Sequence, residues 1–170
     1  MADLFNRVGR SAFNYLSGQD GGQDSGFLGS IVQVDSLQVQ INRLIGEGGY
    51  AFIYEAKDVA SGKTYALKRF LVYEESKVSE VVQEIKLMKE CRNQTDFVRF
   101  VTAASVNHSE GKKVNKEFLI LMEVCSNGDL AGLLRKTGES LSPDNVCIVM
   151  AALARALQFL HSRPTPVIHR

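Results

Sequence analysis

Apolar and polar residues alternate over 37–42, where Leu37, Val39 and Ile41 interleave with Gln38, Gln40 and Asn42. A period of two predicts a half-buried strand. A second strand is predicted over 51–56, AFIYEA, and a third over 64–70, TYALKRF, whose alternation puts Ala66 and Lys68 on one face. Two more are predicted over 97–105 and 117–124, and FLILMEV in the latter is apolar almost throughout, as in a strand buried on both faces. Helical spacing appears over 74–91, where Val78, Val81, Ile85 and Met88 form one stripe. Asp129 is placed to cap a short helix running to about 136. Ser142-Pro143 opens a long helix with Val146, Val149, Leu153, Leu157 and Leu160 as its seam, ended by Arg163-Pro164-Thr165-Pro166.

The ends of the chain follow other patterns. Leu4, Phe5, Val8, Ala12 and Leu16 have the spacing of a short amphipathic helix, and Arg7 and Arg10 are a thin basis for a membrane anchor. The run 17–30, SGQDGGQDSGFLGS, reads as a flexible linker, so the ordered domain is expected to begin near Ile31. At the other end Val167-Ile168-His169-Arg170 reads as a chain that is cut, not finished.

Composition narrows the class. With 170 residues, 45% hydrophobic and 23% charged, the chain is expected to be one soluble globular domain. A net charge of +1 gives no reason to expect nucleic acid. Cys91, Cys125 and Cys147 are far apart and read as small buried hydrophobes, not as a disulfide or metal site. No run reaches the ~18 apolar residues of a spanning helix; 146–160 comes nearest and contains Arg155.

Candidate chemistry centres on 45–68, IGEGGYAFIYEAKDVASGKTYALK. Two strands joined across Gly46-Glu47-Gly48-Gly49 make a hairpin tip without side chains, which lets backbone N–H groups approach an anion. A dinucleotide fingerprint fails, because Ala51 stands at its third glycine and no helix follows. A P-loop fails as well, since Lys57 stands where its first glycine belongs, and SGKT reads as a turn. What fits is G-x-G-x-x-G-x-V on a hairpin with a V-A-I-K lysine on the next strand, matched by Gly46, Gly48, Ala51, Ile53 and Tyr65-Ala66-Leu67-Lys68. Glu84 lies inside the apolar stripe of 74–91 and needs a cation. Lys68 is its natural partner, and Glu80, one turn earlier and less well centred, is the rival.

In these motifs the chain resembles the eukaryotic protein kinase domain over about 30–170, up to the first two residues of its H-R-D motif. The runs GEGGYAFIYEAKD, YALKRF and QEIKLMK are similar to those of the Numb-associated group of serine/threonine kinases. The resemblance implies an α+β fold. Residues 31–124 would be the small lobe, an antiparallel five-stranded sheet plus one regulatory helix; 125–170 would be the hinge and the first helices of the α-helical large lobe, truncated, with 1–30 flexible. It implies ATP as ligand, with backbone at Gly46 and Gly48 over the phosphates, Gly49 adding freedom and Tyr50 at the tip. Lys68 would contact the α- and β-phosphates and be held by Glu84. Ile45, Ile53 and Ala66 would sandwich the adenine, and Met122 would be the gatekeeper behind it. The carbonyl of Glu123 and the amide of Cys125 would read the adenine edge, and Asp129 would bond the ribose. Phe100, Met88 and His169 would share a packed column linking the lobes.

The same resemblance sets what is expected to follow Arg170: the catalytic aspartate, the metal-binding asparagine and D-F-G. Mg²⁺ is thus expected for the full-length protein with its ligands outside this chain, and the 170 residues alone are expected to be inactive and only marginally stable. Protein substrates, clathrin-coat adaptor subunits among them, and a cytoplasmic setting on clathrin-coated vesicles or perinuclear membranes are implied by resemblance alone. The competing reading is a catalytically inactive kinase-like docking module.

Overall fold

A computed structural model of the chain describes residues 26–48, 51–107, 116–138 and 140–168. The amphipathic run 1–16, Gly49, Tyr50 and His169 lie outside these residues. The chain divides into two compact units, Met1–Arg92 with Arg99–Val124, and Asn93–Val98 with Cys125–Arg170.

The first unit is a six-stranded antiparallel sheet and one helix. Strands β1 (Ile31–Val34), β2 (Leu37–Glu47), β3 (Ala51–Asp58), β4 (Thr64–Val72), β5 (Phe100–Asn107) and β6 (Lys116–Met122) lie in the order β1-β2-β3-β4-β6-β5. The expectation of five strands is corrected by β1, which pairs with β2 through the turn at Asp35-Ser36, where Asp35 has φ 56°. Short polar side chains tolerate that left-handed conformation best after glycine. The turn between β3 and β4 is closed by Asp58, whose Oδ2 accepts from Ser61 Oγ and, at 2.9 Å, from Ser61 N. These bonds, the hydroxyl's first, hold the Asp58 carboxyl below its usual range.

Both faces of the sheet are buried. On one, Val32, Val39, Ile41, Tyr54, Leu67, Leu119 and Leu121 form a core. On the other, Phe70, Val72, Phe118 and Ile120 pack against α1 (Glu75–Cys91) through Val81 and Ile85, with Val78 and Met88 partly buried beside them. Phe118, Leu119, Ile120 and Leu121 are each 0% exposed, because alternation sends neighbours in β6 into opposite cores.

The expectation that residues up to 30 form a flexible linker is corrected for 26–30. Phe27 is 0% exposed, its ring 4.9 Å from Tyr54, and Gly29 N donates to Ile41 O at 2.7 Å. An aromatic side chain in a glycine-rich run supplies enough burial to dock the segment.

The second unit holds α2 (Leu130–Thr137) and α3 (Pro143–His161). Phe97, which alternation had assigned to β5, instead stacks edge-on with Phe159 at 5.7 Å. Asp96 accepts two bonds from Arg155, at 2.8 and 2.9 Å. Along α3, Val146, Met150, Leu153 and Leu157 make an exposed apolar stripe, Leu153 at 54%. The helix is 19 residues long with mean hydropathy 1.2, enough by length and composition alone to cross a membrane. Within α3, Arg155 is paired with Asp96. Of the cysteines only Cys91 is buried; Cys125 and Cys147 are exposed, which corrects their reading as core residues.

Candidate functional site

Strand register gathers the candidate residues of the first unit on the sheet face that carries α1. Gly46 pairs with Ile53, Ile53 with Lys68, and Lys68 with Ile120, forming one transverse row. In the next row Ala66 pairs with Met122 and Met122 with Phe100. Ala66 and Met122 are buried, Ile53 is half-buried and Ile45 is exposed.

Lys68 Nζ donates to Glu84 Oε1 at 2.6 Å, and the side chains remain 23% and 36% exposed. Glu80, the rival, bonds Lys77 at 2.7 Å on the exposed side of α1. Lys68 Nζ also lies 4.7 Å from the centroid of the Phe70 ring. Phe70 was missed in the sequence, although its position two residues on, on the same face of the strand, was the available signal. Beside the pair is a cavity of about 320 Å³, lined by Phe70, Val72, Glu74, Lys77, Val81 and Glu84 among others. Ala66 and Met122 do not line it.

At the β2–β3 tip Gly48 N donates to Ala51 O at 2.8 Å. Neither Gly46 nor Gly48 has a positive φ. A Cβ at Gly46 would lie 3.5 Å from Ile53 and one at Gly48 would lie 3.7 Å from Ala51 O, both ordinary contacts. The fold therefore does not itself need these glycines, and what they offer is bare backbone for close approach of a ligand. Ala51, at the motif's third glycine, is 7% exposed in β3 opposite Phe70, where its methyl fills the core.

Glu123 is tied to Arg99: its amide donates to Arg99 O at 3.0 Å and its Oε1 accepts from Arg99 N at 2.7 Å. In the second unit Cys125 O accepts from Gly128 N at 3.0 Å. Asp129 is the N-cap of α2, its Oδ1 accepting from Gly132 N. A Cβ at position 132 would come within 2.9 Å of that oxygen, so glycine there makes room for the cap. Among the described residues no group of three or more His, Cys, Asp or Glu could hold a metal ion.

The family described as protein kinase domain matches residues 39–170. A probable serine/threonine-protein kinase of Dictyostelium discoideum is 28% identical over 145 residues, 84% of this chain and 12% of the relative. Serine/threonine-protein kinase sel-5 of Caenorhabditis elegans is 30% identical over 145 residues, 84% of this chain and 13% of the relative. Serine/threonine-protein kinase AKL1 of Saccharomyces cerevisiae is 27% identical over 157 residues, 84% of this chain and 14% of the relative. The chain thus spans only a small part of the length of these relatives.

Proposed function

This chain belongs to the protein kinase domain family, and we propose that it is the ATP-holding part of a serine/threonine protein kinase. The observation that carries the reading is the Lys68–Glu84 contact at 2.6 Å, on the same sheet face as a glycine tip whose glycines the fold does not require. ATP fits those residues. Backbone N–H groups around Gly46 and Gly48 would meet its phosphates, and Lys68 would neutralise the α- and β-phosphates while Glu84 holds the ammonium in place. Ile45, Ile53 and Ala66 would enclose the adenine with Met122 behind it. The Glu123 carbonyl and Cys125 amide would read its edge, and Asp129 would bond the ribose. When bound, ATP supplies the γ-phosphoryl group for in-line transfer to a serine or threonine hydroxyl. The residues of this chain position and electrostatically stabilise; the base and the Mg²⁺ ligands are assigned to motifs that follow His169-Arg170, so no step here is given to a metal.

In this reading 31–124 is the small lobe, 125–170 is the hinge and start of the large lobe, and the 170 residues by themselves do not transfer phosphate. Serine/threonine specificity is supported by the names of the relatives. Within the kinases the motifs resemble the Numb-associated group, most of all the cyclin-G-associated kinase. On that resemblance clathrin-adaptor subunits are the substrates and the cytoplasmic face of clathrin-coated vesicles is the setting.

The test is a pair of measurements. ATP should bind the 170-residue chain, and Lys68→Met should abolish that binding. A protein continuing through the D-x-K-x-x-N and D-F-G motifs should phosphorylate serine or threonine, again only with Lys68 present. Transfer that survives Lys68→Met overturns the assignment, and ATP binding without any transfer by the longer protein favours the inactive docking module.

A further inference from the structure

We propose that Phe70 is a positioning residue for Lys68, one that holds the ammonium over its ring from the lysine's own strand. The inference rests on the ATP-site reading and deepens it.

An ion pair as exposed as Lys68–Glu84, 23% and 36%, is a weak restraint on a flexible side chain. Its carboxylate also belongs to a helix that touches the sheet along one stripe. Phe70 differs on both counts. Its side chain is 7% exposed and sits on the same strand and face as Lys68. Its neighbours across the flanking strands are Ala51 and Phe118. The ring packs on α1 as well but is anchored in the sheet, and its face attracts the ammonium at 4.7 Å. Phe70 and Glu84 restrain one charge by different elements, the strand and the helix.

The experiment compares ATP with adenosine binding to the 170-residue chain, by competition with a fluorescent ATP analogue. The ratio of the two affinities reads the phosphate contacts alone. Phe70→Leu should lower the ratio roughly three- to tenfold, the range of a partly desolvated cation–π contact. Phe70→Tyr should keep it within about twofold, because the ring remains and the adjoining cavity has room for a hydroxyl. Phe118→Leu is the packing control: it trims the partner of Phe70 in the same core, but the Phe118 ring is met by Lys116, so the ratio should not change. A ratio unaffected by Phe70→Leu, or lowered equally by Phe118→Leu or Phe70→Tyr, overturns the inference. An unaltered chain with no preference for ATP over adenosine overturns instead the reading on which it rests. Independently of any variant, the ring current of Phe70 should move the Lys68 ε-methylene protons upfield; random-coil shifts there also refute the contact.

Discussion

The guanidinium of Arg69 lies 3.9 Å from the centroid of the Phe27 ring while its Nε donates to Glu117 Oε1 at 2.6 Å. Their side chains are only 8% and 4% exposed, so this ion pair is buried on the sheet face opposite Lys68. Glu117→Ala should destabilise the chain by about 3–5 kcal/mol, because it removes the carboxylate bonded to a buried cation. Arg69→Met combined with Glu117→Leu should come close to neutral. Phe27→Ala should cost a further ~3–5 kcal/mol relative to the unaltered chain. Denaturant unfolding measures all three, and a double variant as damaging as Glu117→Ala would refute the account.

Substitution of Gly48 should separate stability from ligand binding. Gly48→Ala should leave unfolding unchanged or raise it by about 0.4–1 kcal/mol, since the alanine fits and narrows the unfolded ensemble. ATP binding should fall by roughly tenfold, because the added methyl keeps phosphate from approaching the bare backbone of the tip. Calorimetric affinity and a melting curve on one sample decide it. Unchanged affinity would mean the tip does not touch phosphate.

What the sequence made legible follows the strength of its periodicity. Val39 and Ile41 alternate cleanly, and Phe118 to Leu121 form an unbroken apolar run, so β2 and β6 could be read directly. The inward faces of Lys68 and Glu84 left them few partners but each other. β1 was missed because IVQV is too short for alternation to register and follows a glycine-rich run. Phe27 was lost in that same run, although a lone aromatic residue there was a signal. Phe97 had strand-like neighbours, and only its packing on Phe159 assigns it elsewhere. Exposure of Cys125 and Cys147 depends on tertiary packing that no local pattern reports.

Acid should loosen the second unit only at a pH below that at which unpaired carboxylates take up their protons. The bond from Arg155 holds the Asp96 carboxyl below its ordinary range, and the same bond raises the Arg155 guanidinium. A carboxylate depressed on folding contributes stability that is fully present above its unfolded value and is lost as pH falls through the lower folded value. The Phe97–Phe159 contact should thus weaken below the ordinary carboxylate range, and Asp96→Asn should remove that pH dependence. Methyl or ring NMR shifts of Phe159 against pH provide the measurement, and a profile identical in Asp96→Asn would sink the assignment.

The apolar stripe of α3 should make the chain self-associate. Met150 and Leu153 are 59% and 54% exposed, and a contiguous apolar strip of that kind drives association. Met150→Glu with Leu153→Glu should shift sedimentation toward monomer without loss of helical circular dichroism. Concentration-independent monomer in the unaltered chain would contradict it.

The sheet curls until its two outermost strands, β1 and β5, come into contact. β1 contacts both β5 and β6, and Thr102 Oγ1 donates to Asp35 Oδ2 at 3.2 Å across that seam. Unsatisfied peptide groups along a border are what recruit foreign strands into fibrils. Here the two borders lie against each other, so the curvature of the sheet leaves a foreign strand less room to add to either one.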